Sequence, residues 1–399
     1  MGPRGHHSFP LLDPMRALAA ISVLLVHTSI FSGALENATF GQFLAHLDIG
    51  VSFFFLLSAF LLYRPFVEAR VAGKARTKFV DYGRRRFIRI APAYWAALTV
   101  AAIVPGMAGA FSGNWWVYYG LLQNFPVYSP TGTCATAPFR CGMPVAWSLT
   151  VEVLFYLALP LFVIAMAWLG KRWRGGWLTL ELGAVGVLTA VSILIQRSVP
   201  LSDAHVWLFF SPLGRGWWFG LGLALAAVSV HVSRLESEPA LVGWLRRRPG
   251  VPVATGVALY LLAAVVLLDP VASLAFPVID LNTYLAQYLL FGVIAALIML
   301  PAIFGADGGG LTRRTLGHPS LVWLGLVSYG IFLYQFPVLI LFRDVGIKAF
   351  VPLTIATFAL TVACAAASFY LLERPLMRRV RGRKPATAAT AASATGPAG

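Results

Sequence analysis

Ten apolar stretches of about twenty residues punctuate the chain, near 17–35, 43–63, 90–107, 147–169, 178–196, 208–231, 251–269, 283–304, 321–342 and 350–372. A helix of that length rises about 30 Å, the depth of a bilayer's hydrocarbon core, so each stretch is predicted to cross a membrane. A large β-barrel would show alternating segments of about ten residues instead, and the sequence has none. Charged residues make up 12% of the chain and hydrophobic ones 59%. A soluble domain is about one quarter charged, so composition excludes that class. The expected fold class is all-α: a polytopic membrane bundle of about ten transmembrane helices, with both termini cytoplasmic.

Charge placement tests this count separately, because Lys and Arg are retained on the cytoplasmic side. With the N-terminus inside, the predicted cytoplasmic loops hold Arg64 to Arg89, Lys171 to Arg174, Arg234 with Arg246 to Arg248, Arg313 and Arg314, and Arg374 to Lys384. Only Arg140, Arg197, Arg215, Arg343 and Lys348 fall elsewhere. The net charge of +16 is therefore read as a topology signal balanced by anionic headgroups, not as a nucleic-acid site. The first apolar run lacks a small-residue cleavage motif and reads as a retained span.

Residues 1–376 are expected to form one transmembrane domain, and 377–399 a basic, then Ala- and Thr-rich, disordered cytoplasmic tail. A long exterior loop, about 108–146, carries Trp115, Trp116, Tyr118 and Tyr119, which fits a segment resting at the membrane interface. Cys134 and Cys141 share that loop and are expected to form a disulfide, unpaired thiols being the other reading. Cys364 reads as a small apolar filler. No internal repeat supports an inverted-repeat transporter.

His27 stands inside the first apolar run. Ionisable groups at that depth are costly and usually mark a functional site. Arg16 precedes it by eleven residues, about 16 Å of helix and about 1100° of turn, which leaves the two within about 20° on one face. The stretch Arg84-Arg85-Arg86-Phe87-Ile88-Arg89 puts Arg86 and Arg89 one turn apart, suited to bidentate capture of phosphate together with Arg16. The same run also serves as a topology determinant at lipid headgroups. Ser148, Glu152 and Tyr156 repeat every fourth residue behind Trp147. Glu152 lies about 8 Å and His27 about 12 Å below the outer surface, so they can meet, the carboxylate fixing the imidazole's tautomer for general-base work. The other reading gives each a separate structural partner.

Gln335, in the run Ser328-Tyr329-Gly330 to Pro337, lies about 21 Å along the ninth span, level with His27. Ser52 and Ser58, in the second span, read as helix-contact residues. Glu373, Arg374 and Pro375 read as a helix stop at the cytosolic surface. His46, His205, His231 and His318 carry no assigned role.

Together these stretches resemble the acyltransferase-3 family of integral membrane O-acyltransferases, from about Leu12 to Pro375. The resemblance rests on Arg16 and His27 at the family's spacing, Arg86 with Arg89 before Ile90 and Pro92, and Trp147-Ser148-Leu149 followed by Glu152 and Phe155-Tyr156. It departs at Ser52, where the family often has an acidic residue, at Ala59 in place of glycine, and at Gln335 in place of histidine. The resemblance implies transfer of a short acyl group, acetyl first among candidates, from acyl-CoA to a hydroxyl of a glycan or glycosylated small molecule. His27 and Glu152 would be catalytic, Arg16, Arg86 and Arg89 would hold the acyl-CoA donor, and Trp147, Ser148, Tyr329 and Gln335 would line the substrate site. No metal or tightly bound cofactor is expected, and the setting is a bacterial plasma membrane in contact with lipid. A proton-coupled transporter or permease, with His27 and Glu152 as relay, is the alternative; it leaves the arginine cluster without a purpose.

Overall fold

The computed structural model describes residues 9–37, 39–74, 78–125, 140–198, 205–267, 281–305 and 310–381. Backbone polar groups in hydrocarbon must bond within their own segment, and each of the ten apolar stretches accordingly contains a helix. They are α1 (Leu12–Ser32), α2 (Gly50–Val71), α3 (Phe79–Ile103), α4 (Ala146–Gly170), α5 (Trp177–Ser198), α6 (Gly216–Val232), α7 (Gly250–Leu262), α8 (Leu281–Phe304), α9 (Pro319–Asp344) and α10 (Phe350–Ser368). Among the described residues there is no strand, only an isolated bridge between Ala108 and Cys141. The chain is an all-α polytopic membrane bundle.

The spans are less uniform than ten equal crossings. Eight helices are long and apolar enough to cross a membrane, and a pair bent by 80°, Ala240–Arg247 with Gly250–Val265, makes at most a ninth. α6, at 17 residues, is shorter. Its apolar run begins earlier in sequence, but Pro212 and Gly214 lie in a turn that splits off the short helix Val206–Phe209. α3 shows the opposite deviation. It starts at Phe79, so the whole arginine run is helical and Arg86 and Arg89 project from a membrane helix rather than a loop.

α9 is the central element, with 78% of its most apolar window buried against 22% for α4 and 11% for α5, which face outward. Helices in lipid gain little from apolar burial against one another and pack closely through small residues instead. α9 does so twice: a Cβ on Gly325 would strike the Asp13 backbone of α1, and one on Gly330 would strike Ala365 of α10. Gly222 of α6 likewise seats on the Leu56 backbone of α2. Away from these crossings, Glu181 of α5, 1% exposed, accepts a 2.6 Å bond from Tyr63 and pairs with Arg70, tying α5 to α2.

At the C-terminal end the expected stop is absent. α10 passes through a π-helical turn, Phe369–Glu373, into α11 (Arg374–Arg381). Pro375 falls in the first turn of α11, where its missing N–H costs little. The π-turn rotates Glu373 inward, so it is 5% exposed, accepting from Ser368 at 3.4 Å, rather than at the surface. In the loop before α4, Trp115 and Trp116 are exposed as an interface segment requires, but Tyr118 is buried and its carbonyl accepts from Tyr94 at 2.7 Å. Cys141 is disulfide-bonded and Cys364 is free. Cys134 and the tail beyond 381 lie outside the described residues. Arg140 pairs with Asp344 at the end of α9, and that carboxylate holds its guanidinium above the usual arginine value.

Gly325→Val should cost about 2 kcal/mol by forcing α1 from α9, whereas Gly186→Val, in open space on α5, should be near neutral. Thermal unfolding of the two variants in detergent checks this.

Candidate active site

Two helices supply the cationic end of one cavity. Arg16, in the first turns of α1, pairs with Asp13 at 2.8 Å. Arg86 and Arg89 face the same space from α3, and among the described residues neither is in an ion pair. The Arg86 guanidinium lies 5.9 Å from the centre of the Tyr156 ring, and its buried Nε has no hydrogen-bond partner among the described residues. The cavity measures about 190 Å³. Three guanidinium groups and one lining carboxylate, Glu152, leave it with a positive excess inside a wall of mixed polar and apolar residues.

Glu152 sits midway along. Its Oε1 accepts from Ser58 Oγ of α2 and, at 2.5 Å, from Tyr156 OH on its own helix. The i, i+4 spacing read from the sequence brings Ser148, Glu152 and Tyr156 onto the cavity together. Tyr329 of α9 lines the same space and donates to the Ile90 carbonyl at 3.0 Å, fixing α9 against α3. α2 and α4 run parallel here, since Ser58 meets Glu152 and Tyr63 meets Phe162 further on. The wall therefore passes from arginines near Tyr156 to Phe54, Ser148 and Phe332 at the other end, about 12 Å along α4.

His27 is not among the lining residues. It is partly buried, packs edge-on against Phe336 at 5.5 Å, and its Nδ1 lies 3.4 Å from Gln335 Oε1. Gln335 directs its Nε2 at the Phe332 carbonyl, 3.4 Å away, so its oxygen faces the ring and Nδ1–H is the donor. That leaves His27 Nε2 with a free lone pair. The expected contact between His27 and Glu152 is therefore replaced by one with Gln335. Equal depth is not equal azimuth: Glu152 faces α2, whereas His27 faces α9, one helical turn beyond Phe332.

Trp147 also departs from expectation. Its ring packs on Phe210 at 4.9 Å and faces the Arg215 guanidinium at 5.6 Å, outside the cavity lining. Arg215, 4% exposed, is enclosed by aromatic faces and donates to Tyr284 OH at 2.8 Å. The only hint of this centre in the sequence is that Arg215 breaks the charge asymmetry of the loops. Ser58 was hidden in another way, because its carboxylate partner lies 94 positions away. Among the described residues no group of His, Cys, Asp and Glu could hold a metal ion.

The acyltransferase-3 family model, described as an acyltransferase domain, matches residues 10–372. Nodulation protein 10 of Rhizobium leguminosarum bv. viciae is 27% identical over 399 residues, 95% of this chain and 96% of its own length. Peptidoglycan O-acetyltransferase OatA of Listeria monocytogenes is 26% identical over 394 residues, 92% of this chain and 56% of its own. Exopolysaccharide production protein ExoZ of Rhizobium meliloti is 24% identical over 342 residues, 84% of this chain and 91% of its own. The chain thus spans about half the length of OatA and of a Bacillus subtilis relative, but nearly all of the two rhizobial proteins. No solved structure matches it. With a family match that runs through all ten helices, the chain belongs to the acyltransferase-3 family of multi-pass membrane proteins.

Proposed function

We propose that the protein is an O-acyltransferase of the bacterial plasma membrane, moving a short acyl group, acetyl first among candidates, from acyl-CoA to a hydroxyl of a glycan or glycosylated metabolite. The observation that carries this reading is the convergence of Arg16, Arg86 and Arg89 on one cavity with a surplus of positive charge. Arg86 and Arg89, held without carboxylate partners among the described residues, and Arg16 beside them suit a ligand with several phosphates. The CoA phosphates bind at this end, and the pantetheine arm runs along the cavity past Glu152 toward Phe332. Relatives named for peptidoglycan and for exopolysaccharide support a glycan acceptor.

His27 is the general base. Its Nδ1–H is held by Gln335, so Nε2 takes the proton of the acceptor hydroxyl as that oxygen attacks the acyl carbon. Gln335 thus performs the tautomer-fixing task without exchanging protons. Residues 1–376 carry the activity, the tail from 377 is cytoplasmic, and the arginine end of the cavity opens to the cytosol.

Purified protein in lipid nanodiscs, given acetyl-CoA, longer homologues and a mixture of envelope glycans and glycosylated metabolites, should release free CoA thiol. His27→Ala should lower steady-state release by about 10²- to 10⁴-fold with CoA binding intact. A folded protein that neither binds nor turns over acyl-CoA would sink the proposal. Gln335→Leu should lower kcat by roughly fivefold, the value of one hydrogen bond of about 1 kcal/mol. Arg89→Gln should instead raise the Kd for CoA by about tenfold or more, as loss of a charge-assisted bond does, measured by calorimetry on the same nanodiscs.

A further inference from the structure

The cavity holds a hydroxyl and a carboxylate that the acceptor base does not touch. Serines in apolar helices normally return their hydroxyl to the carbonyl three or four residues back. Ser22, Ser29, Ser52, Ser148 and Ser328 all do so here, at 2.7–3.2 Å. Ser58 does not. Its Oγ donates across the bundle to Glu152 Oε1, facing the cavity that the three arginines close at one end. Tyr156 OH donates to the same oxygen, which pins the carboxylate in place. A nucleophile bonded to a base that a third group orients is the arrangement of covalent catalysis.

We infer that Ser58 is an acyl relay, a nucleophile that takes the acyl group from the donor before the acceptor receives it. The inference rests on the acyl-CoA reading and adds a covalent step to it. In the first half-reaction Ser58 Oγ attacks the thioester carbonyl and its proton passes to Glu152. The C–S bond breaks, and the CoA thiolate takes a proton from solvent as it leaves. In the second half-reaction the acceptor hydroxyl gives its proton to His27 Nε2 and its oxygen bonds to the acyl carbon. The bond from that carbon to Ser58 Oγ then breaks. Glu152 returns its proton to Ser58, and His27 releases the acceptor's proton to solvent.

The placement of the two centres explains the division of labour. Phe54, one turn from Ser58 on α2, meets Phe332 at 6.1 Å, and the Phe332 carbonyl holds Gln335, which holds His27. The acyl group on Ser58 thus waits midway along the cavity, between the arginine end, by which the bulky CoA can leave, and the Phe54 and Phe332 end, beyond which His27 lies.

The test incubates the protein in nanodiscs with acetyl-CoA and no acceptor, followed by intact mass and peptide mapping. One acetyl group should appear on the peptide containing Ser58, and His27→Ala, which stalls the second half-reaction, should accumulate it. Ser58→Ala should bind CoA normally, carry no label and lose transfer by on the order of 10³-fold. Ser58→Cys should carry the label as a thioester cleaved by neutral hydroxylamine. Initial rates should follow a ping-pong pattern. Label on His27, or unimpaired transfer by Ser58→Ala, would overturn the relay and leave the acyl-CoA reading standing. Wild-type protein that binds no CoA would overturn both.

Discussion

Everything in the site depends on how closely α1 can approach α9. The two helices touch where Gly325 lies against the backbone at Asp13. That contact sets Arg16 and His27 of α1 beside Tyr329 and Gln335 of α9, on helices too closely packed to slide past one another. Gly330 fixes the opposite side of α9 against α10 in the same way. α9 is therefore a rigid spine, and the residues it presents keep their spacing because the helix itself is nearly enclosed.

On that frame the bundle treats its buried charges in two ways. Arg70 and Glu181 neutralise each other, with Tyr63 completing the carboxylate's bonds. Such a pair costs desolvation and returns it as fixed geometry between helices. Among the described residues the half-buried Arg86 and Arg89 have no such partner, although withdrawing a guanidinium from water is costly for them too. In the proposed function, a polyanionic ligand supplies the counter-charge at that end of the cavity. Glu152 supplies only part of it, being the one carboxylate among the lining residues against three guanidinium groups.

The proposed proton handling divides between two centres. Glu152 lines the cavity with Ser58 and Tyr156, and His27 with Gln335 lies one turn beyond the Phe54 and Phe332 wall. Separation keeps a carboxylate from competing for the imidazole. Gln335 accepts one bond from Nδ1–H, which an amide oxygen does without gaining or losing a proton.

The sequence by itself determined the membrane class, the helices and the stripe that joins Arg16 to His27. All of these follow from local periods and from hydrocarbon's intolerance of unpaired backbone groups. It also determined that Ser148, Glu152 and Tyr156 share a face, because four residues are about one turn. Only the tertiary structure decided which faces meet. Depth along a helix can be counted from residue numbers, but the rotation of one helix against another is set by side-chain packing across the bundle. That rotation turned His27 to Gln335 rather than Glu152, moved Trp147 onto Arg215, and brought Ser58 to a carboxylate 94 positions away. The inward turn of Glu373 was hidden for a related reason: a π-helical turn shifts every later side chain by part of a turn, and no local pattern announces it.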